Sequence, residues 1–269
     1  MALKDITLGQ YFPGNSPVHR LDPRTKIIAV VLYIVALFLC KSFVSYGIML
    51  ALLAASIKIS KVPLKSIVGG LKPILFLAVF TAVLNLFYTP GETVLVKIWV
   101  LTITLEGVLN AFFMVVRIMM LIAGTFLLTY TTSPILLTDG LEALLNPLKK
   151  VGLPIHELAM MMSIALRFIP TLIEETDKIM SAQKARGADF ESGKLMERVK
   201  ALIPILVPLF ISAFRRADEL ATAMECRCYQ GGEGRTKMKL LRYTLWDFYA
   251  YGCGAVLVAG VFVLAGFGL

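Results

Sequence analysis

The sequence predicts an all-α integral membrane protein with about five transmembrane helices and a cytoplasmic module of long amphipathic helices. Of its 269 residues 58% are hydrophobic and 17% charged, an imbalance beyond that of ordinary soluble domains. Several windows approach the roughly 20 apolar residues that cross a hydrocarbon core about 30 Å thick. A stretch of 113 residues (131–243) contains no convincing full span yet carries 16 of the 27 Lys and Arg. The net charge of +9 would suggest nucleic acid in a soluble chain. Here the accumulation of basic residues on the cytoplasmic side of spans accounts for it. The expected partner at this level is the lipid bilayer, with no nucleic acid.

Residues 1–26 are polar and rich in turn formers. The N-terminus lacks the apolar core of a cleaved signal peptide, so the first span is expected to act as the insertion signal. Arg20, Arg24 and Lys26 stand directly before an apolar run, which places the N-terminus in the cytoplasm. Asp22-Pro23 predicts a helix start, with Asp22 as the cap and Pro23 in the first turn. The first span follows at about 27–40, then a tight turn at Lys41-Ser42 and a second span at about 43–57. Both are short, so flanking polar residues must snorkel. Lys58, Lys61, Lys65 and Lys72 mark a basic cytoplasmic loop before a third span at about 73–88. The β-branched piece from Thr93 to Leu105 suits an external loop, as either a short strand pair or a helix lying at the interface. A fourth span at about 107–130 is long enough to cross unaided, and a last one runs from Leu245 to about Phe267.

The chain therefore divides into an N-terminal membrane part (1–130), a cytoplasmic module (131–243) and a last transmembrane helix (244–269). A multi-pass cell-membrane protein results, with its C-terminus outside. Cys40 and Cys253 lie in or beside spans, while Cys226 and Cys228 face the cytoplasm, where thiols stay reduced.

Two long helices dominate the cytoplasmic module. In the first, about Pro154 to Arg186, Leu158, Met161, Ala165, Phe168, Leu172, Ile179 and Met180 recur at helical spacing. In the second, about Lys194 to Arg227, Leu195, Val199, Leu202, Leu206, Leu209, Ala213, Ala217, Leu220 and Met224 do the same. Pro204 and Pro208 each remove a backbone donor, so the second helix should bend there. Each helix closes on an arginine between small residues: Ala185-Arg186-Gly187 and Cys226-Arg227-Cys228. Taken singly, these are ordinary helix ends, since arginine complements the macrodipole and glycine terminates helices. Their repetition points further, because a guanidinium between small neighbours can reach into a carboxylate-lined groove. An alternative makes 156–173 and 200–214 a membrane hairpin, at the cost of burying Arg167 and the acids Glu174, Glu175 and Asp177.

At these residues the chain resembles the transmembrane T-subunit of energy-coupling factor (ECF) transporters, the vitamin-importing branch of the ABC systems. Three stretches carry the likeness. They are Gly9-Gln-Tyr-x-Pro-Gly-x-Ser with His19-Arg-Leu-Asp-Pro-Arg-Thr-Lys26, then Ala185-Arg186-Gly187, then Ala223-Met-Glu-Cys-Arg-Cys-Tyr229 with Gly231-Gly232-Glu233-Gly234. The resemblance implies a coupling subunit whose Ala185, Arg186, Gly187, Cys226, Arg227 and Cys228 dock on two ABC-type ATPase subunits. It further implies that Leu158, Met161, Phe168, Leu172, Leu202, Leu206, Leu209 and Ala213 face a membrane-embedded substrate-binding S-component. The family's second motif is often Ala-Arg-Gly, and cysteines flank Arg227 here.

The sequence has no Gly-x-x-x-x-Gly-Lys-Ser/Thr loop, so ATP hydrolysis is expected in the partners and not in this chain. No cofactor or metal is expected: Cys226-x-Cys228 has no further Cys or His near it, and His19 and His156 are isolated. Arg117 sits mid-span, where a charge normally faces the bundle interior, with Asn85 or Glu106 as candidate partners. Other readings are a dedicated cobalt or nickel subunit, and a self-contained membrane transporter or enzyme working through Arg117.

Overall fold

A computed structural model describes residues 11–40, 42–88, 94–98, 101–188, 190, 195–232 and 240–266. The chain forms two compact units. One takes in Gly9–Gly140 with Leu241–Leu269, and the other Leu141–Leu240.

The first unit is a bundle of apolar helices. A short α1 (Pro17–Arg20) leads into α2 (Pro23–Leu39), α3 (Phe43–Ser60) and α4 (Leu64–Tyr88). Two strands, β1 (Val94–Ile98) and β2 (Leu101–Thr104), pair antiparallel with Lys97 opposite Thr102. The β-branched piece is thus a strand pair and not an interfacial helix. The chain continues with α5 (Leu105–Thr131), α6 (Pro134–Leu145), α7 (Ile155–Ala185), α8 (Leu195–Cys226) and α9 (Leu245–Gly266). Helix α2 packs on α5 and α9, while α5 also packs on α3 and α4.

Asp22 caps α2 as its sequence predicts, its carboxylate accepting from the Arg24 N–H at 2.9 Å. The basic loop is shorter than expected: α3 ends where Lys61 takes a left-handed conformation (φ 57°), and α4 already starts at Leu64. Lys65 and Lys72 are therefore helical. Lys41 of the expected turn lies outside the described residues, and Ser42 caps α3 by accepting from the Val44 N–H.

By length and composition α3, α4, α5, α7 and α9 could each cross a membrane. Helix α2, with 17 residues, rises about 26 Å at 1.5 Å per residue, a little short of the hydrocarbon thickness. The core joins Tyr33, Ala36 and Leu37 of α2 to Tyr46, Met49 and Leu53 of α3 and Met120 and Ala123 of α5. Side chains turned away from it are apolar too: Phe76 is 80% exposed and Val256 74%, as suits a surface facing lipid tails. A Cβ on Gly124 would fall 2.6 Å from the Tyr33 ring, so glycine is what lets α2 and α5 approach this closely.

The N-terminal motif builds a polar knot at the head of α2. Ser16 caps α1, and its hydroxyl lies 2.7 Å from His19 Nδ1. His19 Nε2 lies 3.0 Å from the Phe12 carbonyl, which can only accept. The ring is therefore protonated at Nε2 and accepts from Ser16 at Nδ1. Burial lowers the His19 pKa below its ordinary value, which keeps this neutral form. The buried Lys26 Nζ donates to the His19 carbonyl, the Thr131 carbonyl and the Thr132 hydroxyl at 3.2, 2.9 and 3.2 Å. Thr131 and Thr132 close α5, so one ammonium ties α1, α2 and the end of α5 together. Asp247, fully buried, accepts from the Asp22 N–H at 2.8 Å, which fastens the head of α9 to the cap of α2.

Arg117 is half-buried in α5. Its Nε donates to the Tyr46 hydroxyl (2.8 Å) and its Nη2 to the Cys40 carbonyl (3.2 Å), with Phe38 and Tyr46 rings beneath the guanidinium. Asn85 instead donates to the Thr81 carbonyl and meets Met114 Sδ. Arg117 satisfies a carbonyl left over at the end of α2, a structural role inside the bundle.

Candidate functional site

Helices α7 and α8 form the second unit's main pair. After α6 a 3-10 turn (Asn146–Val151) ends at Gly152 with φ +86°, and α7 begins. Helix α8 runs without interruption through Pro204 and Pro208. Pro208 has no N–H to offer the Pro204 carbonyl four residues earlier. Gln183 Nε2 of α7 donates to that carbonyl at 3.3 Å, replacing the missing bond.

Both helices end in the same backbone motif. At the end of α7 the Gly187 N–H donates to Lys184 and the Ala188 N–H to Gln183, each at 3.0 Å. At the end of α8 the Cys228 N–H donates to Glu225 (2.8 Å) and the Tyr229 N–H to Met224 (3.0 Å). These are the paired bonds of a Schellman cap. Arg186 and Arg227 occupy the same cap position, and Gly187 (φ +87°) and Cys228 (φ +57°) the same left-handed one. The repetition seen in the tripeptides is therefore a repetition of geometry. A cysteine in the left-handed region costs about 1 kcal/mol relative to glycine. All six tip residues, Ala185, Arg186, Gly187, Cys226, Arg227 and Cys228, are exposed. Among the described residues neither guanidinium has a hydrogen-bond or ion-pair partner.

The pair is antiparallel. Gln183 meets Pro204, Glu175 meets Ser212 and Arg216, and His156 lies against Gly232 just beyond α8. As numbers rise along α7 they fall along α8, so Arg186 and Arg227 project from opposite ends. Midway, Arg216 Nη2 donates to Glu175 Oε2 at 2.6 Å, and the Ser212 hydroxyl donates to Glu175 Oε1. At the foot of α7, His156 Nδ1 pairs with Glu142 at 3.0 Å. A Cβ on Gly232 would overlap the His156 ring, so glycine is required there.

Of the apolar residues singled out in the sequence, Leu158, Met161, Leu202 and Leu206 are exposed, at 47, 55, 46 and 46%. Phe168, Leu172, Leu209 and Ala213 are half-buried; on α8, Leu209 and Ala213 share the side that carries Ser212 and Arg216. The exposed apolar stripe of α8 also includes Ile203, Val207, Phe210, Ile211 and Phe214. Those five follow the same helical spacing one residue further round, and the buried side of α8 decides which of the two stripes stays open. Among the described residues no cluster of three His, Cys, Asp or Glu side chains is placed to hold a metal ion.

Comparison with known proteins matches residues 14–238 to the family model CbiQ, described as cobalt transport protein. The chain is 58% identical over 257 residues to a Clostridium kluyveri protein, covering 95% of each chain. It is 55% identical over 258 residues to one from Thermosediminibacter oceani, covering 96% of this chain and 97% of the other. A Bacillus subtilis protein is 49% identical over 262 residues, covering 97% of this chain and 99% of the other. All three are named energy-coupling factor transporter transmembrane protein EcfT.

Proposed function

The chain belongs to the EcfT family of energy-coupling factor transporter transmembrane proteins, and from that premise we propose how it couples. As a transmembrane subunit of an ECF transporter it works in a complex. Its partners are two cytoplasmic ABC-type ATPases, which hydrolyse ATP, and a membrane-embedded S-component, which binds a vitamin or other micronutrient. The observation that carries this is the pair of exposed arginines in identical caps at opposite ends of one helix pair. Each guanidinium stands at a helix C-terminus with no partner among the described residues, a geometry suited to an acidic groove. One helix pair can so engage two separate subunits. The open apolar stripes of α7 and α8 supply a face for the S-component. The relatives' names refer to the energy-coupling factor rather than to a metal, which favours this reading over a dedicated cobalt or nickel subunit.

In this arrangement α2, α3, α4, α5 and α9 cross the membrane, with the N-terminus and both tips cytoplasmic and the C-terminus outside. Helix α7 matches a span in composition through its first half, but Glu174, Glu175, Asp177 and Lys178 follow within its length. Co-expression with a pair of ABC-type ATPases from the same source and extraction in mild detergent tests the assignment. Two ATPases are expected to accompany the tagged chain in stoichiometric amounts. A chain that purifies alone, under conditions that preserve other membrane complexes, overturns it.

A self-contained transporter working through Arg117 predicts a different result for Arg117→Met. Here that substitution leaves the Tyr46 hydroxyl and the Cys40 carbonyl without their donor, so thermal stability in detergent should fall by about 1–3 kcal/mol. Uptake per folded complex should be retained. Full stability with lost uptake would make Arg117 a transport residue.

A further inference from the structure

We infer that Glu175, Ser212 and Arg216 are positioning residues that form the fulcrum of the α7–α8 pair, holding one crossing point while the arginine tips swing. This rests on the coupling function proposed above. Glu175 stands 11 residues before Arg186, and Arg216 stands 11 residues before Arg227. At 1.5 Å per residue each arm is about 16 Å long, so the cluster lies midway between the two docking ends.

The chemistry of the contact favours rotation over sliding. One carboxylate is gripped through both oxygens, by Ser212 and by Arg216 one turn further along α8. A slide of α8 by one turn, about 5.4 Å, would carry one of the two donors past the carboxylate and break the grip. A change in crossing angle about the carboxylate keeps both bonds. Displacement imposed at one tip by an ATPase is thereby returned at the other as a swing of the opposite arm. The cluster is partly solvent-exposed, with side-chain exposures of 33% for Arg216 and 21% for Glu175. An ion pair in that setting adds little to overall stability, so substitutions there should leave the chain folded.

The test uses the full complex with its ATPases and S-component in liposomes, with Lys149→Glu as a surface control. Glu175→Ala and Arg216→Ala are expected to retain both ATPases and ATP hydrolysis while uptake falls roughly tenfold, within the usual range of coupling effects. The exchange Glu175→Arg/Arg216→Glu should recover most of the lost uptake. Spin labels at Lys184→Cys and Ala221→Cys give the distance between the two tip regions. The background chain has Cys40 and Cys253 replaced, with Cys226→Ala and Cys228→Gly reproducing the small-residue cap of the first tip, and is first shown to keep both ATPases and uptake. A narrow, nucleotide-dependent distance should become broad and unresponsive in Glu175→Ala. Normal uptake in both single variants, or an unchanged distance distribution in Glu175→Ala, overturns the fulcrum while leaving the coupling function standing. A wild-type chain that holds no ATPase overturns the coupling function instead, and the distance measurement on the isolated chain still decides whether Glu175 fixes the crossing.

Discussion

Replacing Arg186 and Arg227 together by glutamate should remove both ATPases from the complex and abolish uptake. Each side chain is exposed and unpartnered among the described residues, so reversing its charge breaks no contact with any of them. The local penalty is the unfavourable placement of a carboxylate at a helix C-terminus, about 0.3–1 kcal/mol per tip. That is too small to unfold α7 or α8, whose caps are held by backbone bonds. Against an acidic groove, by contrast, the same change replaces a forked cation with a repelled anion. Either single variant should keep the chain attached through its other tip and still lose uptake, since one anchored end cannot define a relative movement. Arginine-to-lysine at both tips should be intermediate, keeping the charge but not the planar fork. Co-purification and liposome uptake, measured side by side, check all of these. Wild-type uptake by the double glutamate variant would refute the docking assignment.

Asp247→Asn should destabilise the membrane bundle measurably, although the two side chains have the same shape. One carboxylate oxygen accepts from the Asp22 N–H at 2.8 Å. The other accepts from the Thr244 N–H and hydroxyl at 2.7 and 2.8 Å. Both oxygens face donors, so an amide must point its own N–H at one of them whichever way it turns. Asp247 and Asp22 are buried while Thr244 is exposed, so the penalty falls chiefly on the Asp22 N–H, where a buried donor left without an acceptor costs about 1–3 kcal/mol. Asp247→Ala, which strands all three donors, should cost on the order of 3 kcal/mol or more. Thermal unfolding in detergent, followed by the loss of the monodisperse species, measures both. If Asp247→Asn melted like the wild type yet failed in transport, the carboxylate would belong to a translocation path and not to a helix cap.

The arginine tips were legible because a cap is written locally: a short run of sequence specifies the termination and the exposed position together. The same holds for Asp22-Pro23 at the head of α2. Cys228 was harder, since a cysteine carries no signal for a left-handed backbone and only the matching bonds reveal that it stands where Gly187 does. The Glu175–Arg216 grip lay beyond the sequence, because it depends on the antiparallel register of two helices whose stripes alone admit several pairings. Arg117 was visible as a mid-span charge, but its partners are a tyrosine hydroxyl and a backbone carbonyl, neither of which stands out in a search for opposite charges. The fold class followed from composition, whereas the strand pair at 94–104 turned on a choice that β-branched residues leave open.

The bond from Asp22 to Asp247 joins residues 225 positions apart, which bears on how the molecule is made. At translation speeds of about 5–20 residues per second, the head of α2 waits at least roughly ten seconds for its partner to leave the ribosome. Over that interval the Asp22 N–H and the flank of α2 that receives α9 are open to lipid headgroups, insertion machinery or chaperones. Chains halted before Thr244 should consequently be recognised as unfinished and degraded, even though every element proposed to meet the ATPases has already been synthesised. Pulse-labelled chains released at residue 240 and at full length, compared for their half-life in the membrane, would measure how strongly that one late contact protects the subunit.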